Sequence, residues 1–217
     1  MPFVTLLRST ALMLFLFTVV YFPVMAIAAG LHLSTDMMVV AVMIGSLAVA
    51  GTLMSIAVRY SWLSAIDFGL RWPTQPYLIY ALVLAIPLSA LTAWAISHVH
   101  EPGPLGGLHM VPWQMYLCFA VGAPIQEEVI FRGLLQSALA RSLALAPRYA
   151  AVSGLAASLS VAALFGIIHW VVGPWTALGA LVLGVLAGEL RRRSGRLLPS
   201  IVCHAIFNLG GMLWVLH

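Results

Sequence analysis

The chain contains no lysine. Its ten basic residues are all arginine, its acidic residues number six, and charged residues make up only 7% of 217 positions. A soluble domain carries about a quarter charged residues, so this composition cannot cover a water-facing surface of ordinary extent. With 63% of positions hydrophobic, the solvent has to be lipid. Cysteine is nearly absent as well. Cys118 and Cys203 both sit in apolar stretches, which argues against a disulfide framework and for two small buried hydrophobes. Several signatures are missing: H-E-x-x-H of zinc peptidases, the G-x-S-x-G nucleophile elbow, the G-x-G-D of aspartyl intramembrane proteases, and any glycine-rich phosphate loop. The net charge of +4 is no nucleic-acid footprint, because the arginines are dispersed between hydrophobic runs.

What is present is a series of apolar stretches. A transmembrane helix needs roughly 20 such residues. Seven stretches qualify, at about 11–31, 38–58, 77–97, 113–140, 150–171, 174–190 and 197–216. The pattern predicts an all-α polytopic bundle of about seven spans forming a single transmembrane domain over 1–217. The first stretch also fits a cleaved signal ending near residue 28, with Arg8 as its charged flank and Ala26-Ile27-Ala28 as a cleavage site. Arginines set the expected orientation. With the N-terminus in the cytoplasm, the inner segments hold Arg8, Arg59, Arg71, Arg141, Arg148, Arg191, Arg192, Arg193 and Arg196. The outer segments hold Asp36, Glu101 and histidines, and no arginine. That asymmetry places the C-terminus outside. The arginine-only, Ala- and Leu-rich composition suggests a GC-rich bacterial genome, hence a bacterial inner membrane.

Arg132 is the exception, because it lies inside the fourth stretch with the only acidic pair, Glu127-Glu128. A charge at mid-bilayer costs at least a few kcal/mol, so such residues face protein or water and carry function by default. Glu128 and Arg132 are i,i+4 and can pair on one helix face. Glu127, about 100° around the helix, is then left for another role. Pro124 lacks an N–H and is expected to kink the helix one turn earlier. In the fifth stretch Phe165 and His169 share a face, and in the seventh His204 and Asn208 do so. Each pair alone is ordinary: an interfacial histidine, or polar glue between helices. Collectively they supply a general base, its partner and two hydrogen-bond donors, enough to activate water and stabilise an oxyanion. The carboxylate and imidazoles could instead ligate a divalent metal such as zinc, through Glu127, His169 and His204. The other histidines, His32, His98, His100, His109 and His217, read as solvated surface, and Glu189 as a charge paired locally with the arginines after it.

Glu127-Glu128-x-x-x-Arg132, Phe165-x-x-x-His169 and His204-x-x-x-Asn208, in that order on separate spans, resemble the CPBP family. This is the CAAX protease and bacteriocin-processing (Abi) family of intramembrane endopeptidases. The resemblance covers about 113–216, the expected catalytic core, and the loop Asp67-Phe68-Gly69-Leu70-Arg71 is similar to one that precedes a third span in the family. By analogy with the Rce1 branch it implies that Glu127 activates water with His169 assisting. His204 and Asn208 would form the oxyanion hole, and Glu128, Arg132 and Phe165 would support the geometry. It implies no required cofactor, though a metal mechanism has been proposed in the family. The implied partners are the lipid bilayer and a protein or peptide substrate at the membrane: a prenylated tail, a bacteriocin-type peptide or a sorting tail. Straight helices set one difficulty. Counted from the cytoplasmic ends at 1.5 Å per residue, His204 lies about 12 Å deep, Glu127 about 21 Å and His169 about 30 Å. A function from a different class, as a transporter, proton relay or scaffold, would use the same polar cluster.

Overall fold

The computed structural model describes residues 2–72, 75–99 and 108–215, and among these there is no strand. His100, Glu101 and His217 lie outside the described residues. Among the described residues, seven long helices form the bundle. The first three are α1 (Pro2–Gly30), α2 (Thr35–Arg59) and α3 (Gln75–Val99). α4 is a continuous helical run in which α-helical pieces (Pro112–Met115, Ala123–Glu128, Gln136–Ala144) alternate with π-helical ones (Tyr116–Gly122, Val129–Leu135). A single turn, Pro147–Ala150, leads to α5 (Ser153–Ile168), which ends in the 3₁₀ turn His169–Val171. α6 (Pro174–Ser194) and α7 (Leu198–Val215) complete the bundle.

α1, α2, α3 and α5 with its terminal turn are long and apolar enough to cross a membrane by length and composition alone, and α7 is a shorter apolar helix. Their outward faces carry large apolar side chains such as Phe15, Phe22, Ile44, Val83, Leu91 and Ile167, all more than 60% exposed, as lipid-facing surfaces require. Exposed tryptophans mark the helix ends: Trp72 at one level, Trp113 and Trp170 at the other. The chain is an integral membrane protein built as an all-α bundle.

Lipid tails are as apolar as leucine, so helices associate in membranes through close packing and polar links. Both devices are visible. α3 buries Ala81, Ala85, Ser89 and Ala93, a stripe of small residues at i,i+4 spacing. Gly184 of α6 lies against Ala162 of α5, where an added Cβ would stand 3.0 Å from the Ala162 Cα. Polar links join distant helices: Ser9 Oγ to Ser142 Oγ at 2.7 Å, Ser89 Oγ to the Phe207 carbonyl at 2.7 Å, and Ser200 Oγ to the Ala187 carbonyl at 2.8 Å.

The sixth stretch runs further than its apolar core suggested, through Glu189 and the arginine run to Ser194, and stops at Gly195 in the left-handed conformation (φ 66°). Glu189 pairs with Arg192 at 2.7 Å and with Arg193. Arg191 departs from its expected role as a surface topology charge. It is only 8% exposed, and its Nη2 donates to the Asp67 carbonyl. Ser137 Oγ donates to the same carbonyl, and the Leu197 N–H to that of Gly69. Arg191 thereby fastens the loop between α2 and α3 onto α4 and the start of α7, with Phe68 buried beneath it. Gly69 has φ 77°, and a Cβ there would meet the Arg191 guanidinium at 2.8 Å. The Asp67 carboxylate accepts from the Ser64 N–H and Oγ, which holds it below the usual carboxylate range.

Gly184→Val inserts atoms against the Ala162 backbone, and overpacking of this kind costs about 1–3 kcal/mol. Thermal unfolding in detergent should show a lower midpoint for Gly184→Val. Gly51→Ala, with nothing within 4 Å of the new Cβ, should match the parent.

Candidate active site

α4 brings both of its glutamates to the ring of His204, from neighbouring positions about 100° apart on the helix. Glu128 points into the protein and is fully buried, as is Arg132. The pair forms the expected i,i+4 bridge, Arg132 Nε to Glu128 Oε2 at 3.2 Å. The guanidinium also donates from Nη2 to the Gly184 carbonyl at 3.2 Å and lies 4.7 Å from the centre of the Phe165 ring. Phe165, on α5, stacks edge-on against Phe131 at 5.0 Å and against His204 at 5.7 Å.

His204 is the joint of the site. Its Nδ1 lies 2.9 Å from Glu128 Oε1, and its Nε2 lies 3.8 Å from Glu127 Oε2. The carboxylate of Glu128 is ion-paired with Arg132 and can only accept, so the His204 Nδ1 carries the hydrogen and donates it. Nε2 is then the atom facing Glu127. The Glu127 side chain is 21% exposed, yet its Oε2 is buried without a hydrogen-bond partner. Glu127 lines a cavity of about 830 Å³ together with Phe165, His169, His204 and Asn208.

His169 sits in the 3₁₀ turn that ends α5. Its Nδ1 lies 2.7 Å from the Phe165 carbonyl. A carbonyl only accepts, so Nδ1 carries the hydrogen and a neutral ring leaves Nε2 as an acceptor. The rings of Phe165 and His169 are 4.5 Å apart, so Phe165 bridges the two histidines. α5 starts at Ser153 rather than 150, which takes about 4.5 Å off the straight-helix depth, and His169 lines the cavity that α4 and α7 share.

Asn208 shows why α4 is irregular. In the first π segment the Ala123 N–H reaches back five residues to the Cys118 carbonyl. The next bond in that register would join Pro124 to Phe119, but proline has no N–H. The orphaned Phe119 carbonyl accepts instead from Asn208 Nδ2 at 2.8 Å. Pro124 therefore frees a carbonyl that ties α7 to α4, and the expected kink takes the form of a π segment on that side. π segments gather at functional sites. One hydrogen of the Asn208 amide is committed to this tie, and the second is the one available to a ligand.

Two contacts lie beyond what the sequence pattern reveals. Glu128 holds His204 as well as Arg132, and nothing in the spacing of residues on α4 and α7 gives that pairing. Gln126 Nε2 donates to Tyr21 Oη at 2.7 Å and to Ser46 Oγ at 2.9 Å, fixing α4 to α1 and α2 beside the cavity. The only signal for it in the sequence is its polarity within an apolar stretch. His32, His98 and His109 are exposed. Cys203 is buried and Cys118 partly so, both free. Among the described residues no three histidine, cysteine, aspartate or glutamate side chains gather closely enough to hold a metal ion. Glu127, His169 and His204 line one cavity without forming such a cluster.

Residues 109–210 match the family model described as type II CAAX prenyl endopeptidase Rce1-like. That segment carries all three motifs and is similar to the Rce1-like family within the CPBP group, a family of proteases. No curated protein and no solved structure matches the chain.

Removing one partner of a buried ion pair costs about 3–5 kcal/mol, because the other charge is stranded. Glu128→Ala strands Arg132 and unties His204, so its unfolding midpoint should fall sharply. Glu127→Ala, which breaks no hydrogen bond at Oε2, should unfold with the parent.

Proposed function

We propose that this chain is an intramembrane endopeptidase in which Glu127 activates water to hydrolyse a peptide bond of a membrane-associated protein or peptide. The observation that carries the reading is the partly exposed carboxylate of Glu127 beside His204 Nε2 at the wall of a large apolar cavity. The exposed part of a carboxylate at such a wall is a place for water. Glu127 takes a proton from that water as the oxygen attacks the scissile carbonyl. His169, with Nε2 free to accept, orients the same water. The oxyanion that develops receives a hydrogen bond from the uncommitted hydrogen of Asn208 and, with the ring between Glu127 and Glu128 protonated on both nitrogens, from His204 Nε2–H. Glu127 then returns its proton to the leaving amine as the C–N bond breaks.

In this reading Glu128, Arg132 and Phe165 position the ring of His204 without touching substrate. No metal step is included, because three donors do not converge and asparagine is a poor zinc ligand. The catalytic core is the segment from about 113 to 216, within one transmembrane domain. The protein lies in a bacterial inner membrane with its N-terminus in the cytoplasm.

The test uses purified enzyme and a pool of tagged, membrane-anchored peptides, with and without exhaustive chelation. Parent activity should survive chelation, and Glu127→Gln should lose cleavage at an unchanged unfolding midpoint. Asn208→Ala should cost roughly 10²–10³ in rate, the usual loss for one oxyanion donor. Activity lost to chelation and restored by zinc would overturn the metal-free mechanism. Full activity in Glu127→Gln would overturn the role of Glu127.

A further inference from the structure

The cavity lies wholly toward one end of the bundle. Its lining reaches the helix ends at Thr35 of α2, Ser97 of α3, Val172 after α5 and Met212 of α7. Its floor is set by Phe165, Leu183 and His204. Below that floor Ile130, Phe131, Arg132, Leu134 and Leu135 are all at most 1% exposed and fill the bundle. The arginines outside the spans sit at the opposite end: Arg59 ends α2, Arg141 is in the last turn of α4, and Arg191–Arg193 end α6. The cavity and the arginines are therefore separated by a packed layer. By the positive-inside rule the arginine end is cytoplasmic.

The side walls add a second point. α2 packs against α1 and α4, whereas α3 packs against α6 and α7. Met38 and Val42 of α2 and Thr92 and Ile96 of α3 thus line the cavity from two separately supported walls. An opening between them would face lipid at the level of the leaflet away from the arginines. The lining is mostly apolar, made of aliphatic, aromatic and methionine side chains, and methionine adapts to apolar ligands of varied shape.

We propose that the site is entered from the extracytoplasmic side, and that its substrate is an already translocated polypeptide whose apolar anchoring segment approaches between α2 and α3. The sidedness rests on the arginines and the packed floor. The substrate class rests in addition on the peptidase reading. Among candidate tails it selects exported ones, since a cytoplasmic tail meets the sealed end.

Access can be read without any cleavage, so a wrong sidedness is distinguishable from a chain that hydrolyses nothing. The full chain is produced in a bacterial inner membrane with Cys118→Ser as background, Cys203 being buried. Met38→Cys and Ser97→Cys report on the cavity, and Leu145→Cys, at a position 72% exposed, reports on the arginine end. Each is treated with a membrane-impermeant maleimide in right-side-out and in inverted vesicles. Met38→Cys and Ser97→Cys should label in right-side-out vesicles, and Leu145→Cys only in inverted ones. The reverse pattern, or cavity labelling only from the inverted side, would overturn the proposal. So would labelling of Ser97→Cys with none of Met38→Cys from either side, because the cavity would then be closed at its mouth.

Discussion

The interaction on which the site depends is the buried carboxylate of Glu128, held by Arg132 on its own helix and by His204 on another. Ions in a low-dielectric interior are costly unless each is paired and hydrogen-bonded. Here the cost is offset by spreading the pair over several partners. The guanidinium reaches the Gly184 carbonyl and the Phe165 face, while the carboxylate faces both Arg132 and His204. Because these partners come from α4, α5, α6 and α7, the same network that makes the charge tolerable also fixes the four helices in register. The ring of His204 is oriented as a consequence, with one nitrogen committed to Glu128 and the other directed at Glu127.

The second constraint is proline. Pro124 removes a backbone donor where α4 is already wound as a π-helix, and the freed Phe119 carbonyl takes the Asn208 amide. The irregular stretch of α4 and the seventh helix are thereby joined next to Glu127. In a regular α-helix the same proline would free the Ala120 carbonyl instead, and the π register is what moves the free carbonyl to Phe119. Irregular backbone at membrane depth persists where it is buried in protein or lines a cavity, and this stretch does both.

Much of this is legible in the sequence. The apolar runs give the helices, since a 20-residue hydrophobic stretch has few alternatives in lipid. Intramembrane Glu127, Glu128, Arg132, His204 and Asn208 stand out because each is expensive to bury. The i,i+4 rule gives the Glu128–Arg132 bridge directly. Contacts between helices are not legible in the same way. The Glu128–His204 bond depends on the rotation of α4 against α7, which no single-helix period encodes. Arg191 looks like one of a run of surface charges, and only tertiary packing distinguishes it from Arg192 and Arg193. Depth estimates fail for His169 because they assume straight helices running to the predicted ends. α5 instead begins three residues late and closes with a 3₁₀ turn.

The most direct test of the central claim compares membrane-protein termini in cells that make equal amounts of the parent chain or of Glu127→Gln. Mass spectrometry of those termini reads cleavage whatever the substrate is. The account predicts one or more new termini, next to apolar anchoring segments, with the parent chain and none with Glu127→Gln. The same new termini in both cells would contradict it, because the carboxylate of Glu127 would then play no part in the hydrolysis.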